Sequence, residues 1–349
     1  MPESLIPLPP DFARRMVLWQ RAHGRQHLHW QATADPYRVW LSEIMLQQTQ
    51  VSTVLDYYPR FLQRFPDVAS LAAAEQDDVL GLWSGLGYYS RARNLHRCAQ
   101  EVVARFGGEF PETAGQLVTL PGIGRSTAAA IAAFCFDERV SILDGNVKRV
   151  LSRVLGYGAD LALAASEREL WSLADRMLPE QPGDMPAYTQ SLMDVGATLC
   201  QPRKVQCPDC PVQALCVAHA QGQALAYPVK TRKLKRSSAT LWLLWAVNAQ
   251  GQVWLHKRPS QGIWAGLFSL PVFDDEPALL AACPQVQEFR YIESWKHVLT
   301  HRDLHLHPVQ LQLPGRRTPE CEGQWVNAGD WPALGLPAPI RLLLEGQKD

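Results

Sequence analysis

The sequence predicts a multidomain chain: an all-α N-terminal part followed by a separate α+β domain. Length is the first reason, because 349 residues hold two or three domains of roughly 100–200 residues each. The second is periodicity. From Asp11 to about Ala226 apolar residues recur on a helical period between prolines and glycines, and no strand-like alternation stands out among them. The third is a change of character after Tyr227, where a basic stretch leads into short apolar or alternating segments of strand length.

Composition narrows the class. Hydrophobic residues are 47% of the chain and charged residues 19%, enough apolar material for buried cores, so a wholly disordered chain is excluded. Lys+Arg and Asp+Glu number 34 each, so net charge gives no sign of a nucleic-acid partner, although a local basic face can still meet phosphates. The stretch from Met1 to Pro10 has no basic run followed by an apolar core, so no signal peptide is read there. The most apolar run, Leu241 to Val247, is far too short to span a bilayer and no membrane partner is expected. A soluble, cytoplasmic protein is the expectation.

Asp35-Pro36 starts a helix, with a carboxylate to cap it and proline in the first turn. Residues 37–46 continue it on an apolar helical period. Pro66, Pro111 and Pro121 punctuate later helices, and Ala128 to Ala133 are strong helix formers. The expected limits are 1–226 for the helical part, 227–239 for an exposed linker and 240–349 for the last domain. The linker carries Lys230, Arg232, Lys233, Lys235 and Arg236 and no acid. Beyond it, residues 241–247 and 252–257 read as strands joined by a turn over Asn248-Ala-Gln-Gly251, and residues 304–313 alternate as a further strand.

Eight cysteines need a reason in a compartment that disfavours structural disulfides. Cys98, Cys135, Cys283 and Cys321 are scattered, whereas Cys200, Cys207, Cys210 and Cys216 fall within 17 residues in a C-x6-C-x2-C-x5-C spacing. Four thiolates in one short loop can close around a metal centre, either zinc or a [4Fe–4S] cluster.

Three further features carry chemistry. Leu120-Pro-Gly-Ile-Gly-Arg-Ser-Thr127 places Gly122 and Gly124 in a tight turn before the alanine-rich helix. Glycines let backbone amides converge, and a helix N-terminus presents them to an anion such as a phosphate; a plain helix–turn–helix corner is the alternative. Asp144, in Ile142-Leu-Asp-Gly-Asn-Val-Lys-Arg149, can cap the following helix, whose amides favour its ionised form. Glu43 lies among Trp40, Leu41, Ile44 and Met45. It is either a solvated helix-face residue or a buried acid with a raised pKa.

The cysteine spacing, the hairpin at Leu120 and the segment Trp40-Leu-Ser-Glu-Ile-Met-Leu-Gln-Gln-Thr-Gln-Val51 together resemble the MutY family of adenine DNA glycosylases, within the endonuclease III superfamily. The likeness covers nearly the whole chain and is strongest from Trp30 to Cys216. It implies an all-α helix–hairpin–helix glycosylase domain, with a six-helix barrel over about 30–140 and an iron–sulfur subdomain made of the N-terminal helix and residues 141–226. It implies a [4Fe–4S] cluster on Cys200, Cys207, Cys210 and Cys216, and DNA contacts at Gly122, Gly124 and Ser126.

By the same resemblance Glu43 is the general acid toward adenine N7, Asp144 stabilises an oxocarbenium-like sugar, and Asn146 orients Asp144 or the attacking water. Trp30 and Gln190 line the adenine pocket. Gln48 is the wedge that enters the base stack, Thr49 lies beside the opposing base, and Tyr88, in Gly85-Leu-Gly-Tyr-Tyr-Ser90, intercalates nearby, with core packing as its alternative. Ser126 stands where bifunctional relatives carry a Schiff-base lysine, which predicts a monofunctional enzyme. The implied substrate is double-stranded DNA with adenine opposite 8-oxoguanine or guanine, met by a monomer associated with the nucleoid in base excision repair.

Gly262-Ile-Trp-Ala-Gly-Leu-Phe-Ser-Leu-Pro271 resembles the Nudix-like domain with which this family recognises 8-oxoguanine. Asp274-Asp-Glu276 lacks the glutamate spacing that holds Mg²⁺ in a Nudix hydrolase, so no pyrophosphohydrolase activity is expected. The chain departs from the family in three places, one being Ser126, where some relatives place a tyrosine. Leu-Pro-Trp is Leu28-His29-Trp30, and the Phe-Ser-His recognition loop is Leu299-Thr300-His301, which keeps a hydroxyl but loses the aromatic ring. His301, and with it His297, is a candidate DNA contact or an ordinary surface residue.

Overall fold

The computed structural model describes residues 6–231, 235–314 and 317–346. Arg232 and Lys233 of the basic stretch lie outside the described residues. In chain order come α1 (Phe12–His23), α2 (Pro36–Leu46), α3 (Val51–Arg64), α4 (Val68–Ala72), α5 (Gln76–Leu82), α6 (Tyr89–Phe106), α7 (Ala114–Leu117) and α8 (Arg125–Phe136). They are followed by α9 (Gly145–Leu155), α10 (Ala164–Asp175), α11 (Met185–Thr198) and α12 (Val217–Ala220). Strands β1 (Ser237–Asn248), β2 (Val253–Lys257), β3 (Phe268–Ser269) and β4 (Val272–Phe273) precede α13 (Glu276–Ala281). Last come β5 (Arg290–Tyr291), β6 (Trp295–Val298), β7 (Arg302–Leu313), β8 (Gln324–Val326) and α14 (Ala338–Glu345).

Contacts divide the chain into two compact units that do not follow its order. One takes the residues up to Gln48 together with Glu101–Arg232; the other takes Thr49–Gln100 with the residues from Lys233 onward. The boundary between Gln100 and Glu101 falls inside α6. Among the described residues no helix is long and apolar enough to cross a membrane.

In the first unit, Asp35 caps α2 by accepting from the Tyr37 amide at 2.9 Å, with Pro36 at the opening position. Helix α2 buries Trp40, Leu41, Ile44 and Met45, and Trp40 packs its ring 5.2 Å from that of Phe110. Residues 128–133 of α8 are all buried. Their small side chains let α8 pack against both α2 and α11. A core drawn from α1, α8, α9, α10 and α11 includes Met16, Ala130, Leu151, Leu170 and Val195. On α11, a Cβ at Gly196 would come within 2.7 Å of the Asn146 Cβ, so glycine is what lets α11 approach the first turn of α9.

In the second unit, an eight-stranded sheet runs in the order β3-β2-β1-β7-β5, with β4 on β1, β6 on β7 and β8 on β2. Strands β1 and β7 pair in parallel along their whole length, from Ser237 with Arg302 to Asn248 with Leu313. The pleat separates two cores. Leu241, Leu243, Trp245, Leu304 and Leu306 face one side with Ile340 of α14, and Leu244, Ala246, Val309 and Leu311 face the other with Leu279 of α13. Leu306 is fully buried. Replacing it by alanine should cost about 2–5 kcal/mol, the usual penalty for emptying such a site, read as a lower denaturation midpoint of the tryptophan-rich sheet. An unchanged midpoint would show that the site collapses around the missing side chain.

Candidate active site

The turn before α8 is built for backbone exposure. Gly122 has φ +78°, a conformation other residues adopt only with strain. Gly124 holds the N-cap of α8 without a side-chain cap, and a Cβ there would meet only open space. Arg125 lies with its guanidinium 3.8 Å from the Trp171 ring centroid and 3.7 Å from Asp175. Ser126 Oγ accepts from the Leu143 amide at 3.1 Å. The start of α8 is thereby tied to the residue before Asp144.

Asp144 caps α9, accepting at Oδ1 from the Val147 amide at 2.7 Å. The cap, the Asn146 amide, Arg149 and Lys148 all lower its pKa, yet burial outweighs them and the net shift is upward. The sequence-based expectation weighed only the helix amides; the packing around residue 144 reverses the balance. Asn146 does not bond the Asp144 carboxylate through its side chain. Its Oδ1 accepts instead from Arg149 Nη2 at 2.8 Å.

Glu43 projects from α2 into a pocket of about 420 Å³. Trp30 forms an aromatic part of its lining, Val39 and Phe134 give apolar wall, and Gln20, Gln31 and Gln190 bring side-chain amides. Trp30 comes from a single turn of tight helix, His29–Gln31, and is buried. Burial first, and the like charge of Asp144 second, push the Glu43 carboxyl from 4.5 to about 8. Burial also pushes the nearby Cys135 thiol up to about 12, so no thiolate competes at that wall. Glu43, Asp144, Trp30 and Gln190 are therefore brought into one region of the first unit.

Cys200, Cys207, Cys210 and Cys216 all carry free thiols and line one cavity with Val150, Val154, Val195 and Val212. Arg153, almost wholly buried, donates to Cys200 Sγ at 3.2 Å and to the Gln201 carbonyl at 2.9 Å. Among the described residues no three His, Cys, Asp or Glu side chains are gathered tightly enough to grip a single ion. Four sulfurs spread around one apolar, arginine-flanked cavity fit a larger anionic group.

The remaining candidates are not part of the Glu43 pocket lining. Gln48 ends the first unit, exposed and at φ +57°. In the second unit Tyr88 is 42% exposed at φ +49°, and its hydroxyl bonds Thr300 Oγ1 at 2.7 Å. Arg91 stacks 5.1 Å from the Tyr88 ring centroid and donates to Thr49 Oγ1 at 2.9 Å. Arg236 donates to the carbonyls of Thr300 at 3.0 Å and Leu299 at 2.8 Å and pairs with Asp303, while the His301 carbonyl accepts from the Ser237 amide at 3.0 Å. Thr49, Tyr88 and Thr300 are one network; the His301 side chain is exposed.

Comparison with known proteins agrees with this layout. Residues 41–176 match the HhH-GPD superfamily base excision DNA repair protein family, and residues 242–346 match the NUDIX domain family. An adenine DNA glycosylase of Buchnera aphidicola subsp. Schizaphis graminum is 34% identical over 342 residues, which is 96% of this chain and 98% of the relative. The chain belongs to the adenine DNA glycosylase family. A second such glycosylase, from Rattus norvegicus, is 49% identical over 230 residues, 62% of this chain and 44% of its own. The solved structure of a thermostable thymine-DNA glycosylase matches 60% of this chain and 95% of that one, with a TM-score of 0.53 and 26% identity.

Four residues of this adenine DNA glycosylase escaped the sequence reading: Asp194, Arg149, Arg91 and Arg236. Only Asp194 left a local trace, four places after Gln190 on one helix face. The Glu43 shift has a measurable consequence. The folded protein holds this proton more tightly than the unfolded chain, so wild-type stability falls as pH rises from 4.5 to about 8. Glu43→Gln carries no such proton. Its stability relative to wild type should climb across that window and level off above it, as followed by urea denaturation at several pH values. A difference flat with pH would mean that Glu43 titrates normally.

Proposed function

We propose that this glycosylase, acting as a monomer, hydrolyses the N-glycosidic bond of adenine mispaired with 8-oxoguanine or guanine in duplex DNA, leaving the strand uncut. The observation that carries the reading is the Glu43 carboxyl, held at about 8 in a pocket walled by an indole and side-chain amides. Such an acid is protonated at neutral pH, as a proton donor must be. Adenine turned out of the duplex enters this pocket and receives the Glu43 proton at N7. The bond from C1′ to N9 then breaks with its electron pair moving to the base, which leaves neutral. Positive charge remains on the sugar, and the Asp144 carboxylate, fixed by the Val147 amide, stabilises it. Water adds at C1′, its surplus proton returns to the Glu43 carboxylate, and an abasic site results. Ser126, engaged with the Leu143 amide, supplies no amine for a Schiff base.

Gly122, Gly124 and Ser126 belong to the turn whose amides meet DNA phosphate. Gln48, at positive φ, is the wedge that fills the gap left by the extruded base; Tyr88, also at positive φ, is an intercalating residue, and Thr49 and Thr300 offer hydroxyls to the base opposite. Asn146, held by Arg149, orders the first turn of α9. Cys200, Cys207, Cys210 and Cys216 would hold a [4Fe–4S] cluster, which when bound supplies a rigid anionic crosslink. Arg153 offsets that charge at Cys200.

Base release from a duplex with one A:8-oxoguanine pair, followed by alkali, tests the activity. Wild type should give alkali-dependent cleavage at the adenine, and Glu43→Gln should lose about 10²-fold or more in rate, the usual weight of a general acid. Cleavage without alkali would point to a lyase instead. Separately, Cys210→Ser should abolish the broad visible absorbance of the purified protein; a retained chromophore would remove Cys210 from the ligand set.

A further inference from the structure

Asp194, on α11, is fully buried, and its carboxylate is crowded with donors. Oδ2 accepts from Gln20 Nε2 at 3.1 Å and from the Arg25 amide at 2.9 Å. Oδ1 accepts from Arg25 Nε at 2.8 Å, from Gln190 Nε2 at 2.9 Å and, at the limit of a hydrogen bond, from Gln31 Nε2 at 3.5 Å. Arg25 Nη2, 2.7 Å from Oδ1, balances the charge. Gln20, Gln31 and Gln190 are three of the four glutamines that line the Glu43 pocket; the fourth, Gln26, donates instead to the Arg21 carbonyl.

An ionised carboxylate accepts and never donates, so it admits only the nitrogen end of a glutamine amide. The two ends of each amide are therefore assigned by chemistry. With nitrogens turned to Asp194, the amides have their carbonyl oxygens left for something else. Gln20 Oε1 and Gln31 Oε1 are buried and find no donor within the protein. Buried acceptors without donors are costly, and the pocket is the place from which a donor can come.

We infer that Asp194 is a positioning residue that sets the base specificity of this pocket, turning its glutamines so that they present acceptors to a purine 6-amino group and reject a 6-oxo group. The inference rests on the adenine-pocket reading and adds to it. Adenine and hypoxanthine both offer N7 to the Glu43 proton. They differ at position 6, where adenine donates from an amine and a 6-oxo purine accepts at oxygen, and at N1, which carries a hydrogen only in the 6-oxo base. Against carbonyl oxygens that cannot turn, a 6-oxo group leaves both sides unpaired, and sites built on hydrogen bonds discriminate strongly for that reason.

The test is single-turnover release of adenine and of hypoxanthine, each opposite guanine, by wild type, Asp194→Asn and Gln190→Met. Asparagine can donate as well as accept, so it frees the amides to turn. Methionine keeps the bulk of Gln190 and removes its carbonyl. The adenine-to-hypoxanthine rate ratio should fall by about tenfold or more in each variant, the weight of one hydrogen bond. Each substrate is compared with itself across proteins, so the intrinsic lability of the two bases cancels. Folding is checked by thermal unfolding, and if Asp194→Asn does not fold, Gln190→Met decides. Equal slowing of both bases in a folded variant would make Asp194 merely structural and overturn the inference. A wild type that releases no adenine would instead overturn the underlying reading.

Discussion

Glu43 lies where its charge is poorly solvated, and the fixed charge that acts on it most is the like-signed Asp144. Both effects favour the neutral carboxyl, and the first is the larger. Burial raises both acids, but their neighbours differ. Asp144 has a cap to its helix and the cations Arg149 and Lys148 working against its burial; Glu43 has no such help.

The scaffold of the first unit serves this arrangement. Alanines on α8 and Gly196 on α11 allow backbones to come close enough for residues from α2, α9 and α11 to share one region. Ser126 links the hairpin to the chain just ahead of Asp144. Arg149 then ties the first turn of α9 to the cysteine loop, donating to the Cys200 carbonyl at 2.8 Å and the Gly196 carbonyl at 2.7 Å. A cluster seated on those cysteines would stiffen the helix that Asp144 caps as well as its own loop.

The second unit solves a different problem, holding exposed polar side chains in fixed places. In the loop with Thr300, Leu299 packs against the core, and Arg236 grips two consecutive carbonyls and Asp303. Tyr88, strained at its backbone, is steadied by Arg91 beneath its ring and by Thr300 at its hydroxyl. Burial lowers the Arg91 pKa to about 10, so its charge is retained at neutral pH. Strain held in place by such contacts commonly marks functional positions.

What the sequence by itself determined were features written in neighbouring residues. The Asp35-Pro36 cap, the alanine run of α8, the glycine turn before it and the strand read at β7 each depend on local geometry, and each appears as read. The helical character up to about residue 226 and the mixed sheet beyond it follow from the same periodicities. Tertiary structure alone decided which partners those residues meet. Glu43 reads equally well as solvated or buried until its pocket closes around it, and Asp144 as governed by its cap until burial is weighed against it. Asp194 gathers donors up to 174 positions away, Arg236 grips a loop 63 and 64 positions on, and Thr49–Gln100 groups with the C-terminal residues rather than with its sequence neighbours. Solvation and hydrogen bonding depend on distance in space, and periodicity along the chain fixes only which face a residue presents.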